Sequence, residues 1–338
     1  VLIHGVYCAH RRPVGTLDET GKSCTVQIVE NNSISQPGPK ILVLSGGGSY
    51  GAAQAGMLKA VVESGFVPDH IVGVSAGALN GAAIAQDFSL TSAENLCQAW
   101  SNASHRSIFP SRTITQLLHV VTIQQSLQPS HGVRRLLESF GPVADLADLS
   151  ESAIPLHVGA VELSSGYLRW FSTGPCMDVL TASCALPGVF PPVDVEGVTY
   201  IDGGVVSNVP WRKALSFDPA QIVCLDVTVD ALAPGAPESA LGILLRSYGH
   251  SRVALREMEQ ALVPEGIPVW HITCDLAHVG SGSFSKSAQL TKEGYEAAST
   301  YLAERPYQAP EMVAKNEHAD KVSVVRKLSQ WRNHYGIR

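Results

Sequence analysis

The 338-residue chain is poor in charged residues, which make up 16% of it, and no cluster of lysine or arginine stands out. The missing basic cluster argues against a nucleic-acid-binding protein, as does the net charge of −6. No apolar run reaches the ~18 residues that a membrane-spanning helix needs. The 45% of hydrophobic residues is nevertheless enough for a folded core, in one large domain or in two.

Metal-ligand patterns are also missing. The seven cysteines are scattered, are odd in number and form no C-x-x-C pair, and no group of cysteines and histidines has the spacing of zinc ligands. Free thiols in a reducing compartment follow, so we expect a cytoplasmic protein. The first residues, VLIHGVYCAHRRPVG, lack the apolar core of a signal peptide, although a chain that begins at Val1 is also compatible with secretion and removal of a signal.

The apolar pattern divides the chain into three parts. Residues 1–39 form a polar, partly irregular N-terminal extension that ends in the turn-rich NNSISQPGPK. Residues 40–306 alternate between strand and helix patterns, which predicts a mainly parallel sheet covered by helices. Residues 307–338 are predicted to form a helical C-terminal tail.

The individual elements follow from local patterns of apolar residues. Strands are predicted at 40–45, 68–75, 155–163, 167–173, 221–229 and 267–274, the third and fourth as a hairpin. Helices are predicted at 51–65, 76–86 and 240–262, with several helical pieces in 92–140.

The segment IVGVSAGALNGA, residues 71–82, ends a run of β-branched residues on a G-x-S-x-G pattern centred on Ser75. A nucleophilic serine at the end of a buried strand needs a cramped turn to expose its hydroxyl, and Gly73 and Gly77 leave room for that turn. The following helix would direct its N-terminal N–H groups at negative charge there. The alternative is a serine that only caps a helix.

A glycine-rich turn, SGGGSYG at residues 45–51, precedes this pattern by one strand–helix unit. Gly46, Gly47 and Gly48 let the backbone approach a ligand and offer N–H donors to a phosphate or a developing oxyanion. A Walker loop is excluded because no G-K-[ST] follows. A dinucleotide fingerprint lacks its acidic ribose partner, since Ser75 ends the second strand. A tight turn without a ligand is the alternative.

A third segment, TYIDGGVVSNVP, places Asp202 before Gly203 and Gly204 at the end of a short apolar stretch. An Asp followed by glycines is often only a turn, but it could equally hold a carboxylate near a catalytic hydroxyl. Asn208 could support this loop by hydrogen bonding or be a surface turn residue.

In combination these motifs are specific, and the chain resembles the patatin-like phospholipase family of lipid acyl hydrolases. The resemblance spans residues 40 to about 305 and also includes ASCALPGVFPPV at 182–193. It implies a three-layer α/β/α sandwich around a mainly parallel sheet, with residues 40–306 as the catalytic domain.

The resemblance also implies a Ser–Asp dyad, with Ser75 as the nucleophile and Asp202 as its base. The oxyanion hole would be formed by the N–H groups of Gly46, Gly47 and Gly48, and the supporting residues would be Gly73, Gly77, Gly203, Gly204 and Asn208. The implied reaction is hydrolysis of the carboxylic ester bonds of lipids through an acyl-serine intermediate. It requires no metal or cofactor, involves a lipid or fatty-acyl ester substrate but no nucleic acid, and allows peripheral contact with a membrane.

One position departs from the family pattern. Many members carry Arg or Lys where Tyr50 stands, so a positive charge near the glycine loop is lost. The backbone donors do not depend on this side chain. The change weakens the case for an anionic phospholipid headgroup and favours neutral esters.

Other functions stay open. An α/β-hydrolase with a Ser-Asp-His triad would need a histidine such as His250 or His271, although these lie in a helix pattern and a strand pattern. A catalytically silent lipid-binding module would not need Ser75 and Asp202 intact. The amphipathic stretch at 114–127 is interpreted as core packing or, alternatively, as a lipid-facing wall.

Overall fold

A computed structural model describes residues 38–103, 130–229, 240–279 and 284–305. The N-terminal extension (except residues 38 and 39), the C-terminal tail and the amphipathic stretch at 114–127 lie outside the described residues. Within the described ranges, a sheet carries helices on both faces, which confirms the expected α/β/α sandwich.

The strands form mostly where the sequence has buried apolar runs. They are β1 (Lys40–Leu44), β2 (His70–Val74), β3 (Leu156–Glu162), β4 (Leu168–Phe171), β5 (Val193–Val195), β6 (Val198–Asp202), β7 (Gln221–Asp226) and β8 (Val269–Thr273). Their order is β5-β6-β3-β2-β1-β7-β8, with β4 paired to β3 off this path. Strands β3, β2, β1, β7 and β8 are parallel, whereas β4, β5 and β6 are joined by antiparallel pairing. The sheet is therefore mainly parallel, as predicted.

The helices are α1 (Gly51–Glu63), α2 (Ala76–Ala85), α3 (Leu90–Asn102), α4 (His131–Glu138), α5 (Cys176–Ser183), α6 (Trp211–Leu215), α7 (Ala240–Gln260) and α8 (Ser287–Glu304). The predictions at 51–65, 76–86 and 240–262 match α1, α2 and α7 within two residues. Helices α5, α6 and α8 were not identified from the sequence. None of these helices, all in the part of the chain that the structure describes, has the length and apolar character of a membrane span.

Strand β1 is buried on both faces of the sheet. Leu42 and Leu44 join the core formed with α1, α2 and α3, while Ile41 and Val43 point to the opposite face. There they pack with Trp211 of α6, and all of these side chains are fully buried. A central strand covered by helices on both sides has no solvated face, which explains why ILVL shows no alternation of apolar and polar residues.

A buried chain of hydrogen bonds links three helices beneath the glycine loop. Trp100 Nε1 of α3 donates to Asn80 Oδ1 of α2 at 2.7 Å, and Asn80 Nδ2 donates to Gln54 Oε1 of α1 at 2.9 Å. Gln54 Nε2 then donates to the carbonyl oxygens of Ser45 and Leu225 at 3.1 Å and 3.0 Å. Because each of these buried polar groups has a partner, the network fixes the helices against the carboxyl ends of β1 and β7.

Replacing Asn80 by alanine should destabilise the fold, because the Trp100 N–H and the Gln54 side chain would lose buried partners. We expect the free energy of unfolding to fall by about 2–4 kcal/mol. Asn102→Ala is the matched control, since Asn102 is exposed at the end of α3 and should cost about 0.5 kcal/mol or less. Urea titrations measure both values, and equal costs would contradict the role of the network.

Candidate active site

The register of β3 brings Ser75 and Asp202 together. Strand β2 pairs with β3 as far as Val74, which lies opposite Gly159, and Ser75 follows immediately. The next residue of β3, Ala160, pairs with Asp202 at the end of β6. Because β4 occupies the other edge of β3 along these same residues, β2 and β6 share one edge. The ends of β2 and β6 therefore meet, and the hydroxyl of Ser75 lies beside the carboxylate of Asp202.

Ser75 stands on a strained turn between β2 and α2. Its φ of 52° and ψ of −129° are in a region that residues other than glycine rarely adopt. A methyl group at Gly73 would collide with the Gly77 carbonyl, and one at Gly77 would collide with the carbonyl oxygens of Leu44 and Ser45. Both glycines are therefore needed for the close approach of α2 to the strands that flank the turn.

The side chain of Ser75 does not cap the helix that follows it. Its hydroxyl instead contacts the Asp202 carboxylate and the Cys184 thiol. The Ser75 N–H donates to Ser183 Oγ at 2.9 Å, and that hydroxyl donates to the Gly159 carbonyl at 2.7 Å. Ser183 thus fixes the strained residue through its backbone, a role that the sequence did not reveal.

Asp202 is a buried carboxylate, only 3% exposed. Burial raises its pKa from 3.8 to about 6, and the Ser75 hydroxyl, the Gly204 N–H and the charge of Arg252 limit the rise. The Gly204 N–H donates to Asp202 Oδ1 at 2.7 Å. A carboxylate with this pKa is a stronger base than an exposed one and is still ionised at neutral pH.

The glycine loop directs part of its backbone at the same cavity. Gly47 and Gly48 line it, and among the described residues no group accepts a hydrogen bond from their N–H groups. Gly46 differs, because its N–H donates to the Asn208 carbonyl at 2.9 Å. Asn208 Nδ2 donates back to the Gly46 carbonyl at 3.1 Å. The loop therefore offers two N–H donors, where the sequence predicted three. Asn208 binds Gly46 and donates to Thr228 Oγ1, so it supports the glycine loop, whereas the prediction placed this support at the loop of Asp202.

A basic residue that no motif indicated lies beside the glycine loop. Arg252 of α7 donates from Nη2 to the Gly46 carbonyl at 3.1 Å, and its guanidinium lies 5.5 Å from the centre of the Tyr248 ring. Tyr50, where many members of the resembled family carry Arg or Lys, donates a hydrogen bond from its hydroxyl to the Val279 carbonyl. The positive charge missing at Tyr50 is thus present nearby, on a different element.

A cavity of about 300 Å³ opens over these groups. Its polar side is formed by Ser75, Asp202, Asn208, Thr228, Tyr248 and Arg252. Its apolar side includes Leu79, Trp100, Leu136, Val189, Phe190 and Phe284. A cavity with a few polar groups on one side and a broad apolar wall suits a molecule with a long apolar part and one polar group.

No histidine lines this cavity among the residues that the structure describes. His271 of β8 lies with Nε2 3.1 Å from Asp226 Oδ2, and His250 is exposed on α7. The aspartate that pairs with His271 is therefore not Asp202. The arrangement that a Ser-Asp-His triad would need around Ser75 is not formed by either histidine.

Solved structures of two bacterial proteins are similar over most of the chain. VipD from Legionella pneumophila is 15% identical, with a TM-score of 0.41. The match covers 87% of this chain and 71% of VipD. The type III effector ExoU, known from Pseudomonas aeruginosa, is 16% identical, with a TM-score of 0.36. The match covers 89% of this chain and 60% of ExoU.

Curated relatives match a shorter part of the chain. The neuropathy target esterase sws of Drosophila melanogaster is 29% identical over 189 residues, and patatin-like phospholipase domain-containing protein 7 of Rattus norvegicus is 28% identical over 188 residues. Each match covers 55% of this chain but only 13% of the relative. A family model described as patatin-like phospholipase matches residues 42–215, just over half of the chain. The chain therefore belongs to the patatin-like phospholipase family.

Proposed function

We propose that this protein hydrolyses carboxylic ester bonds of lipids, with Ser75 as the nucleophile and Asp202 as its base. The observation that carries the proposal is the contact between the hydroxyl of Ser75, on its strained turn, and the buried carboxylate of Asp202. A nucleophile, a base and nearby N–H donors in one cavity are the groups that acyl transfer requires. Membership of the family supports a lipid as the substrate.

The first half of the reaction forms an acyl-serine. The oxygen of Ser75 attacks the ester carbonyl carbon while its proton passes to Asp202, and the carbonyl oxygen becomes negatively charged. The N–H groups of Gly47 and Gly48 stabilise this oxyanion, and the N-terminus of α2 adds a favourable field. The tetrahedral intermediate then expels the alcohol, which takes the proton from Asp202.

The second half releases the fatty acid. Water attacks the acyl carbon while Asp202 accepts a proton from it, and a second tetrahedral intermediate forms on the same donors. Its collapse breaks the bond to the oxygen of Ser75, which takes back the proton from Asp202. One water is consumed, and the enzyme returns to its starting state.

The apolar side of the cavity binds the acyl chain. Each buried methylene contributes about 0.8 kcal/mol, so affinity should rise with chain length until the cavity is full. The polar side faces the alcohol part of the ester, which is either a neutral alcohol or a phospholipid headgroup. The groups named here lie within the catalytic domain proposed at residues 40–306, and contact with lipid at the periphery of a membrane is part of the proposal.

A fluorophosphonate probe should label the protein, and peptide mapping should find the adduct on Ser75. Ser75→Ala should abolish labelling and lower the hydrolysis of p-nitrophenyl esters and phospholipids by at least about 1000-fold, or about 4 kcal/mol. Ser165→Ala, in an exposed turn, is the control and should keep full activity. An adduct on another serine would overturn the assignment, and lipid binding by a folded protein without labelling would identify a silent module.

Asp202→Ala and Asp202→Asn should cost nearly as much activity as the loss of Ser75, because the two residues act as one unit. His250→Gln and His271→Gln serve as controls and should keep kcat within about tenfold, or ~1.4 kcal/mol. If either histidine variant fell to the level of Ser75→Ala with its fold intact, a triad would replace the dyad.

The pH profile should follow the ionisation of Asp202. Below about pH 6 kcat/KM should fall roughly tenfold per pH unit, and above it the profile should be level. The charged and titratable groups that face Asp202 are Arg252, Tyr248 and Cys184. Burial raises the pKa of both Tyr248 and Cys184, so neither of these two groups titrates near pH 6. A profile without an acid limb near pH 6 would contradict the role of Asp202.

Asp202→Asn should stabilise the protein in a pH-dependent way. Because burial raises the folded-state pKa from 3.8 to about 6, ionised Asp202 opposes folding above pH 6 by roughly 3 kcal/mol, and this penalty is relieved as the pH falls towards 3.8. The stability gained by the variant should therefore be largest at pH 8 and shrink to about one third at pH 4.5. Denaturant titrations at the two pH values measure the difference, and a gain that did not depend on pH would refute the raised pKa.

A further inference from the structure

Arg252 has no part in the proposed dyad, yet its side chain lines the polar side of the cavity. Among the described residues that line the cavity, it is the basic one. Its Nη2 donates to the Gly46 carbonyl at 3.1 Å, and its Nε is buried without a hydrogen-bond partner. Its charge acts on Asp202, Tyr248 and Tyr50.

We propose that Arg252 is a positioning residue that holds the glycine loop in the conformation needed for oxyanion stabilisation. It does so by binding the Gly46 carbonyl, and it supplies the positive charge that Tyr50 does not. The proposal rests on the proposed function, because it assigns the N–H groups of Gly47 and Gly48 to the oxyanion.

The planar peptide bond couples the Gly46 carbonyl, which Arg252 binds, to the Gly47 N–H. The carbonyl of Gly46 and the N–H of Gly47 belong to one planar peptide unit and point in opposite directions. A glycine pair can rotate such a unit with little steric cost. Two donors, Arg252 Nη2 and Asn208 Nδ2, hold the Gly46 oxygen at 3.1 Å each. The Gly47 N–H is thereby fixed on the opposite side, and a donor to the carbonyl also polarises the peptide and strengthens its N–H.

Electrostatics acts in the same direction. A guanidinium beside the loop lowers the energy of negative charge on the developing oxyanion. The same charge holds the pKa of Asp202 below the value that burial alone would set. Arg252 therefore keeps Asp202 ionised, and thus able to act as a base, at lower pH.

Arg252 lies outside the part of the sequence that matches the family model. The family model matches residues 42–215, and Arg252 lies beyond them on α7. Tyr50, on the loop itself, uses its hydroxyl to bind the Val279 carbonyl instead. The basic side chain beside the loop thus comes from a helix that is distant from it in sequence.

The competing role for Arg252 is that of a clamp for the phosphate of a phospholipid headgroup. A clamp would act on KM for phospholipids and leave neutral esters unaffected. A positioning residue would lower kcat for both, because both pass through the same oxyanion. The two roles are separated by assaying a neutral p-nitrophenyl ester and a phosphatidylcholine with the same acyl chain.

The experiment compares Arg252→Gln and Arg252→Lys with the wild type, and Lys292→Gln, an exposed residue of α8, controls for the loss of one charge. We expect Arg252→Gln to lower kcat about 100-fold on both substrates and to move the acid limb of the pH profile upward. Arg252→Lys should recover at least half of the loss in kcat, measured on a logarithmic scale, and should return the acid limb to its wild-type pH. If Arg252→Gln does not fold, Arg252→Met, which keeps an apolar stem against Tyr248, takes its place.

Three results would overturn the proposal: a loss confined to KM for phosphatidylcholine, a kcat that falls without a shift of the acid limb, or a lysine variant as slow as the glutamine variant. Fluorophosphonate labelling distinguishes its failure from failure of the proposed function. Slow but specific labelling of Ser75 in Arg252→Gln would support the dyad, so that the activity of this variant tests the role of Arg252 alone. A wild-type protein that is not labelled would refute both the proposed function and the role of Arg252.

Discussion

The site depends on one edge of β3 that pairs with two different strands in succession. Strand β2 ends opposite Gly159, and β6 begins to pair at the next residue, Ala160. This change of partner is possible because β3 has seven residues and β2 has five. A parallel strand therefore delivers Ser75 and an antiparallel strand delivers Asp202 to the same point, and a shift of either register by one residue would turn these side chains to the other face of the sheet.

Close packing of the small residues of α2 allows the turn that exposes Ser75 to form. Every residue of α2, AGALNGAAIA, is buried, and the helix approaches the ends of β1 and β2 so closely that Gly77 has no room for a methyl group. The turn that exposes Ser75 is strained, and strain of this kind persists only where the surroundings determine the conformation. Ser183, through the Ser75 N–H, and the buried network around Asn80 provide that determination. The free energy gained from these hydrogen bonds thus offsets the backbone strain at Ser75.

Local features of this site were predictable from the sequence. The G-x-S-x-G turn, the glycine loop and the Asp-Gly-Gly segment each report a local backbone requirement, and the strands and helices around them follow from apolar periodicity. The short strand β5 was missed because it directly follows two prolines, which do not indicate a strand. The engaged N–H of Gly46 was also missed, since its partner Asn208 is 162 residues away.

Arg252 and Ser183 could not have been found in the same way. Their roles come from hydrogen bonds to backbone groups that tertiary packing brings near, and nothing in their own sequence neighbourhood records these contacts. Tyr50 shows the converse case. The sequence shows an uncharged residue at this loop position, and the fold places the basic side chain of Arg252, from α7, beside the same loop.

The most direct test of the account is to trap the covalent intermediate. The enzyme would be mixed with excess p-nitrophenyl ester, quenched in acid within its first turnovers, digested, and mapped by mass spectrometry. The account predicts the mass of one acyl group on the peptide that contains Ser75, and no acyl group in Ser75→Ala. An acyl group on the adjacent Cys184, or turnover without any acylated peptide, would contradict it.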